Sequence, residues 1–382
     1  MMNLQENTAM EKILIAPRKY VQGPNLLKKA GAFLSVLGKR ALVLWDSRVK
    51  SIVGDIVLSS LKDASLEAVD VRFNGECTRP EAARIAEIAN DKDADIIAGV
   101  GGGKTLDAAK AAAISTRKRI VTCPTIASND SPTSSATVWY DEKGNFTDFE
   151  CWPFNPDMVL VDSRVIAEGP VEAFVAGMGD ALATWVEAEV ARATGAGNLA
   201  GGISTLAAME LARLGYDVLM EHGVEAKRAV ELNVVTPSVE KVIEANILHS
   251  GLGFESGGLA TAHMIANALP SFPECHHLMH GHEVGFGVIS QVCMDEAMDV
   301  KRIHEIVDFE IAVGLPVTFA DLNLGGISRE RLWKIGEICA SEGSLCESHR
   351  FKVTPERVVD AMIAADALGG ERKKRAFGAA DK

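Results

Sequence analysis

Long apolar runs are missing from this sequence, and none approaches the roughly 20 residues that a helix needs to cross a bilayer. The first residues, MMNLQENTAMEK, also lack a basic segment followed by an apolar one, so we expect a loose extension over 1–12 and no signal peptide. None of the seven cysteines belongs to a CxxC pair, and their odd number does not resemble a disulfide framework. These absences favour a cytoplasmic protein with reduced thiols and no membrane partner.

Acidic residues outnumber basic ones: the 52 Asp and Glu and the 39 Lys and Arg give a formal net charge of −13. A protein that binds the phosphate backbone of nucleic acids needs clustered basic side chains, so this balance argues against such a partner. Aromatic residues are also scarce, at 5%, whereas hydrophobic residues reach 47% and charged residues 24%. This composition is typical of helix-rich α/β enzymes that act on small molecules.

The first part of the chain alternates short apolar runs with amphipathic ones. With 382 residues the chain exceeds the roughly 250 to 300 at which one hydrophobic core stops growing, so we expect two domains. Helices that separate successive strands imply parallel pairing and a doubly wound sheet, whose ligands lie at the carboxyl ends of the strands. The predicted strands are 41–46, 66–73, 94–100 and 119–124.

From about residue 171 the alternation is replaced by long stretches with apolar residues at helical spacing. This pattern predicts an all-α second domain, and the proline-containing stretch 152–172 is the natural junction. The sequence therefore predicts an α/β domain over 13–168 and a helical domain over 169–382.

The stretch GVGGGKT, at 99–105, follows a predicted strand and opens a predicted helix. It does not match the Walker P-loop pattern, because Ala98 occupies the position of the first glycine. It does not match the dinucleotide-binding pattern G-x-G-x-x-G either, because Lys104 occupies the position of the third glycine. A helix that begins near Thr105 would still present free N–H groups to a pyrophosphate, which glycines allow to approach closely. The alternative is that a strand-to-helix turn simply needs glycine, although three in succession exceed that need.

Asp46 ends the first predicted strand. An acidic side chain after an early strand can accept hydrogen bonds from a ribose 2′-hydroxyl, which would favour NAD over NADP. Carboxylates also commonly end strands without binding any ligand.

Six of the nine histidines lie between residues 249 and 282. On a helix, His276 and His280 would share a face, as would His280 and Glu283. A catalytic divalent site usually offers three protein ligands, and Asp180, at the front of an Ala-rich helix, is a candidate carboxylate partner. The alternatives are solvated surface histidines and a helix-capping Asp180, and spacing alone does not choose between them.

Six motifs occur in the order found in one family: GGGKTLDAAK, TIASND, GMGDALATW, VIEAN, GFESGGLATAH and HHLMHGHEVGFG. By these motifs the chain closely resembles, from about residue 13 to 368, the glycerol dehydrogenases of the metal-dependent (iron-containing-type) alcohol dehydrogenase superfamily. The resemblance implies a Rossmann-like nucleotide-binding domain, a dehydroquinate synthase-like helical domain and a site between them. It also implies NAD-dependent oxidation of glycerol to dihydroxyacetone by a large homo-oligomer such as an octamer.

The resemblance also assigns roles to single residues. The metal ligands would be Asp180, His263 and His280, with zinc the usual ion, and Asp130 would contact the polyol; these four residues are the predicted catalytic set. The predicted cofactor-binding residues are Asp46 for the adenosine ribose, Gly102, Gly103, Lys104, Thr105, Leu106 and Asp107 for the phosphates, and Thr125, Ser128, Ser134, Ala136 and Tyr140 for the rest of the groove.

Two positions depart from the family's pattern. Ala266 stands where many members have the second histidine of HxxHN, so a proton relay through that histidine is absent. His282 and Glu283 replace the Glu-Lys of HGEK. The resemblance therefore implies the reaction type but leaves the substrate open between glycerol and another vicinal diol or alcohol.

Two other functions compete with this one. Lyases similar to dehydroquinate synthase and glycerol-1-phosphate dehydrogenases share the architecture, but their charged substrates would need Lys or Arg near the metal, and 249–287 contains neither. The non-enzymatic alternative is a nucleotide-sensing module with a vestigial metal site.

Overall fold

The structure, a computed structural model, describes residues 11–378. The loose extension predicted over 1–12 therefore lies outside the described residues, except for its last two. There the Glu11 carbonyl oxygen accepts a hydrogen bond from the Ile203 N–H, and Lys12 forms a parallel β-bridge with Ile203. No helix within the described range combines the length and the apolar character that crossing a membrane requires.

Within 11–378 one six-stranded parallel sheet and one antiparallel hairpin account for the named strands. The strands are β1 (Tyr20–Gly23), β2 (Arg40–Trp45), β3 (Glu67–Arg72), β4 (Ile96–Gly101), β5 (Arg119–Pro124), β6 (Ala136–Tyr140), β7 (Phe146–Cys151) and β8 (Met158–Asp162). The parallel sheet has the order β1-β8-β5-β4-β2-β3, and β6 pairs with β7 in the hairpin.

Helices cover both faces of the parallel sheet. The helices of this half are α1 (Ala30–Leu34), α2 (Ser47–Asp63), α3 (Arg79–Asp91), α4 (Gly103–Thr116) and α5 (Ser163–Ala167). Alternate side chains of β2 enter different cores: Val43 and Trp45 pack with α1 and α2, whereas Leu42 and Leu44 pack with α3 and α4. This two-sided burial confirms the predicted doubly wound α/β fold.

Four strands, β1, β6, β7 and β8, were not predicted from the sequence. β8 lies between β1 and β5, so the stretch 152–172 that was expected to link two domains contributes a buried inner strand. The hairpin strand β7, FTDFEC, is largely exposed and shows no alternation, and β1 has only four residues. Strands this short or this polar carry little periodic signal.

The chain after β8 is helical, as predicted. Its helices are α6 (Val171–Thr194), α7 (Leu206–Glu231), α8 (Pro237–Glu244), α9 (Ser250–Gly257), α10 (Thr261–Ala268), α11 (His280–Met294), α12 (Val300–Val313), α13 (Arg329–Cys339) and α14 (Pro355–Gly378). A π-helical turn, Ala245–His249, joins α8 to α9, and Gly258, at φ 106°, separates α9 from α10. α6 is buried along nearly its whole length and forms the centre of this half.

Candidate active site

The glycine loop joins β4 to α4. Gly101 ends the strand, Gly102 is the N-cap residue of the helix, and Gly102 has no side chain that could accept hydrogen bonds from the first turn. A Cβ on Gly103 would lie 2.8 Å from the amide nitrogen of Asn129, so the loop passes close to the chain that follows β5. The helix therefore offers its positive end and unbonded N–H groups at the carboxyl edge of the sheet, which suits an anion.

Asp46 follows β2, which pairs in parallel with β4, so Asp46 and the glycine loop lie at the same edge of the sheet. One carboxylate oxygen of Asp46 accepts a 2.7 Å hydrogen bond from the N–H of Val49 and caps α2. The side chain thus has a structural role, and its contact with a ribose stays a prediction.

Lys104 is already paired within the described structure. Its ammonium nitrogen lies 2.7 and 2.9 Å from the two carboxylate oxygens of Glu76 and 4.5 Å from the centre of the Tyr140 ring. Leu106 is buried beneath the loop, and Asp107 is also buried. Among the residues predicted to line the phosphates, Gly102, Gly103 and Lys104 are partly exposed at the start of the helix, whereas Thr105 is buried like Leu106 and Asp107.

A buried lysine that sequence reasoning missed organises the segment after β5. The Lys110 ammonium donates hydrogen bonds to the carbonyl oxygens of Ser131 at 2.9 Å, of Ser134 at 3.2 Å and of Ala136. Its charge lies 3.0 Å from a carboxylate oxygen of Asp107. Lys110 thereby holds in place the segment that carries the predicted cofactor residues Ser134 and Ala136.

The loop after β5 connects the glycine loop to the helical half. The N–H of Thr125 donates to the Gly101 carbonyl oxygen at 3.0 Å, and Ser128 lies buried on the same loop. Further along, the N–H of Asp130 donates to a carboxylate oxygen of Asp180 at 3.3 Å. The loop after β5 and α6 therefore meet at Asp130.

Asp180, His263 and His280 come together from α6, α10 and α11. One potential ligand atom from each lies within 4.8 Å of the other two. Asp180 Oδ1 is 3.5 Å from His263 Nε2 and 3.7 Å from His280 Nε2, yet this buried oxygen has no hydrogen-bond partner among the described residues. One carboxylate and two imidazoles are the ligand types of a catalytic divalent site, and a cation would satisfy the unpartnered oxygen.

Asp180 is the tenth residue of α6, so its predicted place at the front of a helix, and with it the capping alternative, is wrong. The apolar segment from Val171 onward is already helical, with Pro170 as its N-cap residue. The prediction that His276 shares a helical face with His280 is also wrong, because α11 begins at His280. The ring of His276 instead lies 2.9 Å from the carbonyl oxygen of Pro270.

The positions that depart from the family's pattern have structural roles. Ala266 is fully buried in the helical core. The ring of His282 accepts a 3.4 Å hydrogen bond from the N–H of Met279 and so caps α11. Glu283 is buried one turn after His280, and burial raises the pKa of Glu283 to about 9.

Sequence reasoning also missed Glu187, which lies two turns after Asp180 on α6 and is fully buried. Its carboxylate contacts His263 Nδ1 and the backbone N–H groups of Ala260 and His263. The spacing of seven residues on one apolar helix was the available signal, because it places both acids on the same face.

The electrostatics separate the two aspartates. Burial acts to raise the pKa of Asp180, but the neighbouring imidazoles of His263 and His280 hold that pKa below its ordinary value. Burial, together with the charge of Asp180, raises the pKa of Asp130 well above its ordinary value. Burial opposes protonation of His263, yet Glu187 and Asp180 outweigh it and raise the pKa of His263. The pKa values of the two neighbouring carboxyl groups are therefore shifted in opposite directions, and Asp130 is the one that favours the protonated form.

Comparison with known proteins shows the family of this chain. Residues 17–163 match the family described as iron-containing alcohol dehydrogenase. Glycerol dehydrogenase of Citrobacter freundii is 41% identical over 94% of this chain and 98% of its own, and glycolaldehyde reductase of Halobacterium salinarum is 41% identical over 96% and 100%. The crystal structure of glycerol dehydrogenase from Schizosaccharomyces pombe aligns with a TM-score of 0.92 at 32% identity, covering 97% of this chain and 94% of the other.

Proposed function

Because the chain belongs to the iron-containing alcohol dehydrogenase family, we propose that it catalyses the reversible, NAD-dependent oxidation of glycerol to dihydroxyacetone. The observation that carries the proposal is the cluster of Asp180, His263 and His280, with its unpartnered buried oxygen, beside Asp130. Relatives about 40% identical over nearly the whole chain are glycerol dehydrogenases, which supports the same reaction here.

The cofactor groove is proposed to run along the carboxyl edge of the sheet. The unbonded N–H groups at the start of α4 would hold the pyrophosphate of NAD, and Asp46, on the neighbouring strand, would accept hydrogen bonds from the adenosine ribose. The segment that Lys110 fixes would line the remainder of the groove with Ser134 and Ala136. These contacts orient the nicotinamide towards the helical half.

In the helical half, Asp180, His263 and His280 would hold a divalent ion, which we propose to be zinc. The bound ion supplies Lewis acidity, which lowers the pKa of a nearby hydroxyl, and NAD accepts the hydride. Asp180 is buried, whereas the His280 side chain is 40% exposed, so the cluster is open on the His280 side. A substrate can approach there without displacing a protein ligand.

Asp130 is proposed to orient the polyol. Its carboxyl oxygen lies 3.4 Å from the Ser250 hydroxyl, and burial beside Asp180 raises its pKa, which favours the protonated form. A protonated carboxyl group both donates and accepts hydrogen bonds, which suits a hydroxyl of glycerol. Positioning of this kind accounts for several kcal/mol of the reduction in the barrier in well-aligned reactions.

A second candidate substrate is a two-carbon one, because one relative with 41% identity is a glycolaldehyde reductase. Glycolaldehyde is the oxidised form of ethylene glycol, which carries the same pair of adjacent hydroxyls as glycerol. The two candidates share the site and the reaction and differ in the size of the diol.

The experiment is a substrate panel followed through the absorbance of NADH. Glycerol, 1,2-propanediol, ethylene glycol and 1-propanol are each supplied with NAD and zinc, and the reactions are repeated with a chelator. We expect NADH from the vicinal diols, with the highest kcat/KM for glycerol, much less from 1-propanol, and loss of turnover with chelator. A zinc-loaded protein that forms no NADH from any diol contradicts the proposal, as does full activity with chelator.

A further inference from the structure

Both carboxylate oxygens of Glu187 contact a single short segment, residues 260–263. One oxygen accepts hydrogen bonds from the backbone N–H of Ala260 at 3.0 Å and from that of His263 at 2.9 Å. The other oxygen contacts Nδ1 of the His263 ring. Glu187 thus fixes the main chain at the start of α10 and, at the same time, the imidazole that this turn carries.

The contact has a chemical consequence for the ring. An ionised carboxylate only accepts hydrogen bonds, so His263 Nδ1 must carry the proton in this contact. In the neutral imidazole the lone pair then belongs to Nε2, the atom that lies 3.5 Å from Asp180 Oδ1. The ring therefore presents its ligating nitrogen to the same space as the unpartnered oxygen of Asp180.

Capping of α10 alone does not require an acid at position 187. Gln291 also serves this turn, because its side-chain oxygen accepts the N–H of Ala262 at 2.8 Å and its amide nitrogen donates to the Val186 carbonyl oxygen at 3.2 Å. Gln291 makes no hydrogen bond to the imidazole in the described structure. Gln291 therefore caps α10 only, whereas Glu187 caps α10 and also fixes the His263 ring.

We propose that Glu187 is a positioning residue that sets the tautomer and the orientation of His263, and through them the metal affinity of the site. The inference rests on the proposed function in one respect, namely that the cluster binds a divalent cation. Glu187 does not touch the cation in this proposal, since it acts entirely through the His263 ring. Partners of metal-ligating histidines that act in this way typically contribute about 10- to 100-fold to metal affinity.

The test compares the substitutions Glu187→Gln and Gln291→Met in the full chain. Glutamine has the same length as glutamate, but its side-chain NH2 group can only donate hydrogen bonds. In the variant this group would face another donor, either the Nδ1–H of His263 or the two backbone N–H groups. Zinc affinity of the metal-free proteins is measured by competition with a chromophoric chelator, and the absorption spectrum of the Co²⁺ form reports the coordination geometry. We expect Glu187→Gln to lose about 10- to 100-fold in zinc affinity and to change the Co²⁺ spectrum.

Gln291→Met is the matched control, because it weakens the same helix start without touching the ring. We expect it to lower the free energy of unfolding while zinc affinity and the Co²⁺ spectrum stay as in the wild type. The inference is overturned if Glu187→Gln binds zinc like the wild type, or if Gln291→Met loses zinc affinity to the same extent. Should Glu187→Gln fail to fold, Glu187→Asp takes its place, since it keeps the charge but is one methylene too short to reach all three donors.

Failure of this inference is distinguishable from failure of the proposed function. If the reaction is wrong, the wild type binds zinc with the expected dependence on Glu187 but forms no NADH from glycerol. If the inference is wrong, the wild type turns over glycerol and zinc affinity does not depend on Glu187.

Discussion

Gly281 on α11 lies directly against Ala176 on α6, so closely that a Cβ at position 281 would overlap the Ala176 carbonyl oxygen. Gly179 makes the reciprocal approach, since a Cβ there would overlap the carbonyl oxygen of Gly281. The two helices therefore touch backbone to backbone. This contact brings Asp180 to within 3.7 Å of His280.

We expect Gly281→Ala to separate the two helices and to damage both stability and the metal site. Overpacking of this kind costs about 1–3 kcal/mol in free energy of unfolding, which urea denaturation measures. Gly370→Ala on α14 is the control, because nothing lies within 4 Å of a Cβ there, and alanine favours a helix over glycine by up to ~1 kcal/mol. Equal urea midpoints for the two variants would contradict the helix contact.

Replacement of His263 or His280 by alanine is expected to abolish zinc binding and turnover while NAD affinity stays unchanged. The reason is that both rings lie in the helical half, whereas the proposed NAD contacts lie at the edge of the sheet. Zinc at 100 times its Kd should stabilise the wild type by about 2.7 kcal/mol, a gain absent from these variants. His276→Ala, outside the cluster, serves as the control, and retained zinc stabilisation in His280→Ala counts against the ligand set.

Asp46→Ser is expected to narrow the preference for NAD over NADP. Serine keeps the N-cap of α2 but removes the negative charge that would repel the 2′-phosphate of NADP. The measurement is the ratio of kcat/KM for the two cofactors. Asp299→Ser, at the N-cap of α12, removes an equivalent capping charge in the other half and should leave the ratio unchanged. An unchanged ratio in Asp46→Ser would contradict the proposed contact between Asp46 and the adenosine ribose.

Glu310 is expected to make the protein less stable as pH rises. Its side chain is fully buried, neither carboxylate oxygen has a hydrogen-bond partner among residues 11–378, and burial raises its pKa well above the ordinary value. Below the unfolded pKa of about 4.3 both states hold the proton, whereas above it unfolding releases the proton. Stability therefore falls by about 1.4 kcal/mol per pH unit until the folded pKa is reached.

Glu310→Gln removes this dependence without changing the size of the side chain. Urea unfolding measured from about pH 5 upward should show a slope of stability against pH that is shallower in the variant by ~1.4 kcal/mol per unit, as long as the pH stays below the folded pKa of Glu310. Glu305→Gln is the control, because Glu305 is exposed on the same helix. Identical slopes in the wild type and Glu310→Gln would show that Glu310 ionises within the fold.

Local patterns were enough to predict the doubly wound sheet. The continuous apolar run of β2 and the amphipathic helices that follow it are local signals, so the type of each element depends little on distant contacts. The residues of β8 read simply as a short apolar run near prolines, and their place as an inner strand depends on β1 and β5. The exposed strand β7 carried no pattern at all.

The sequence by itself determined the class of the two halves, the glycine turn before α4 and, through its ordered motifs, the family. Only the tertiary structure decided that Asp180 lies inside a helix and not at its start, that Glu187 contacts the ring of His263, and that Lys110 binds the carbonyl oxygens of the segment after β5. The physical reason is that periodicity and capping act over a few residues, whereas the site is formed by side chains on separate helices. Their distances depend on how closely Gly179 and Gly281 let those helices approach.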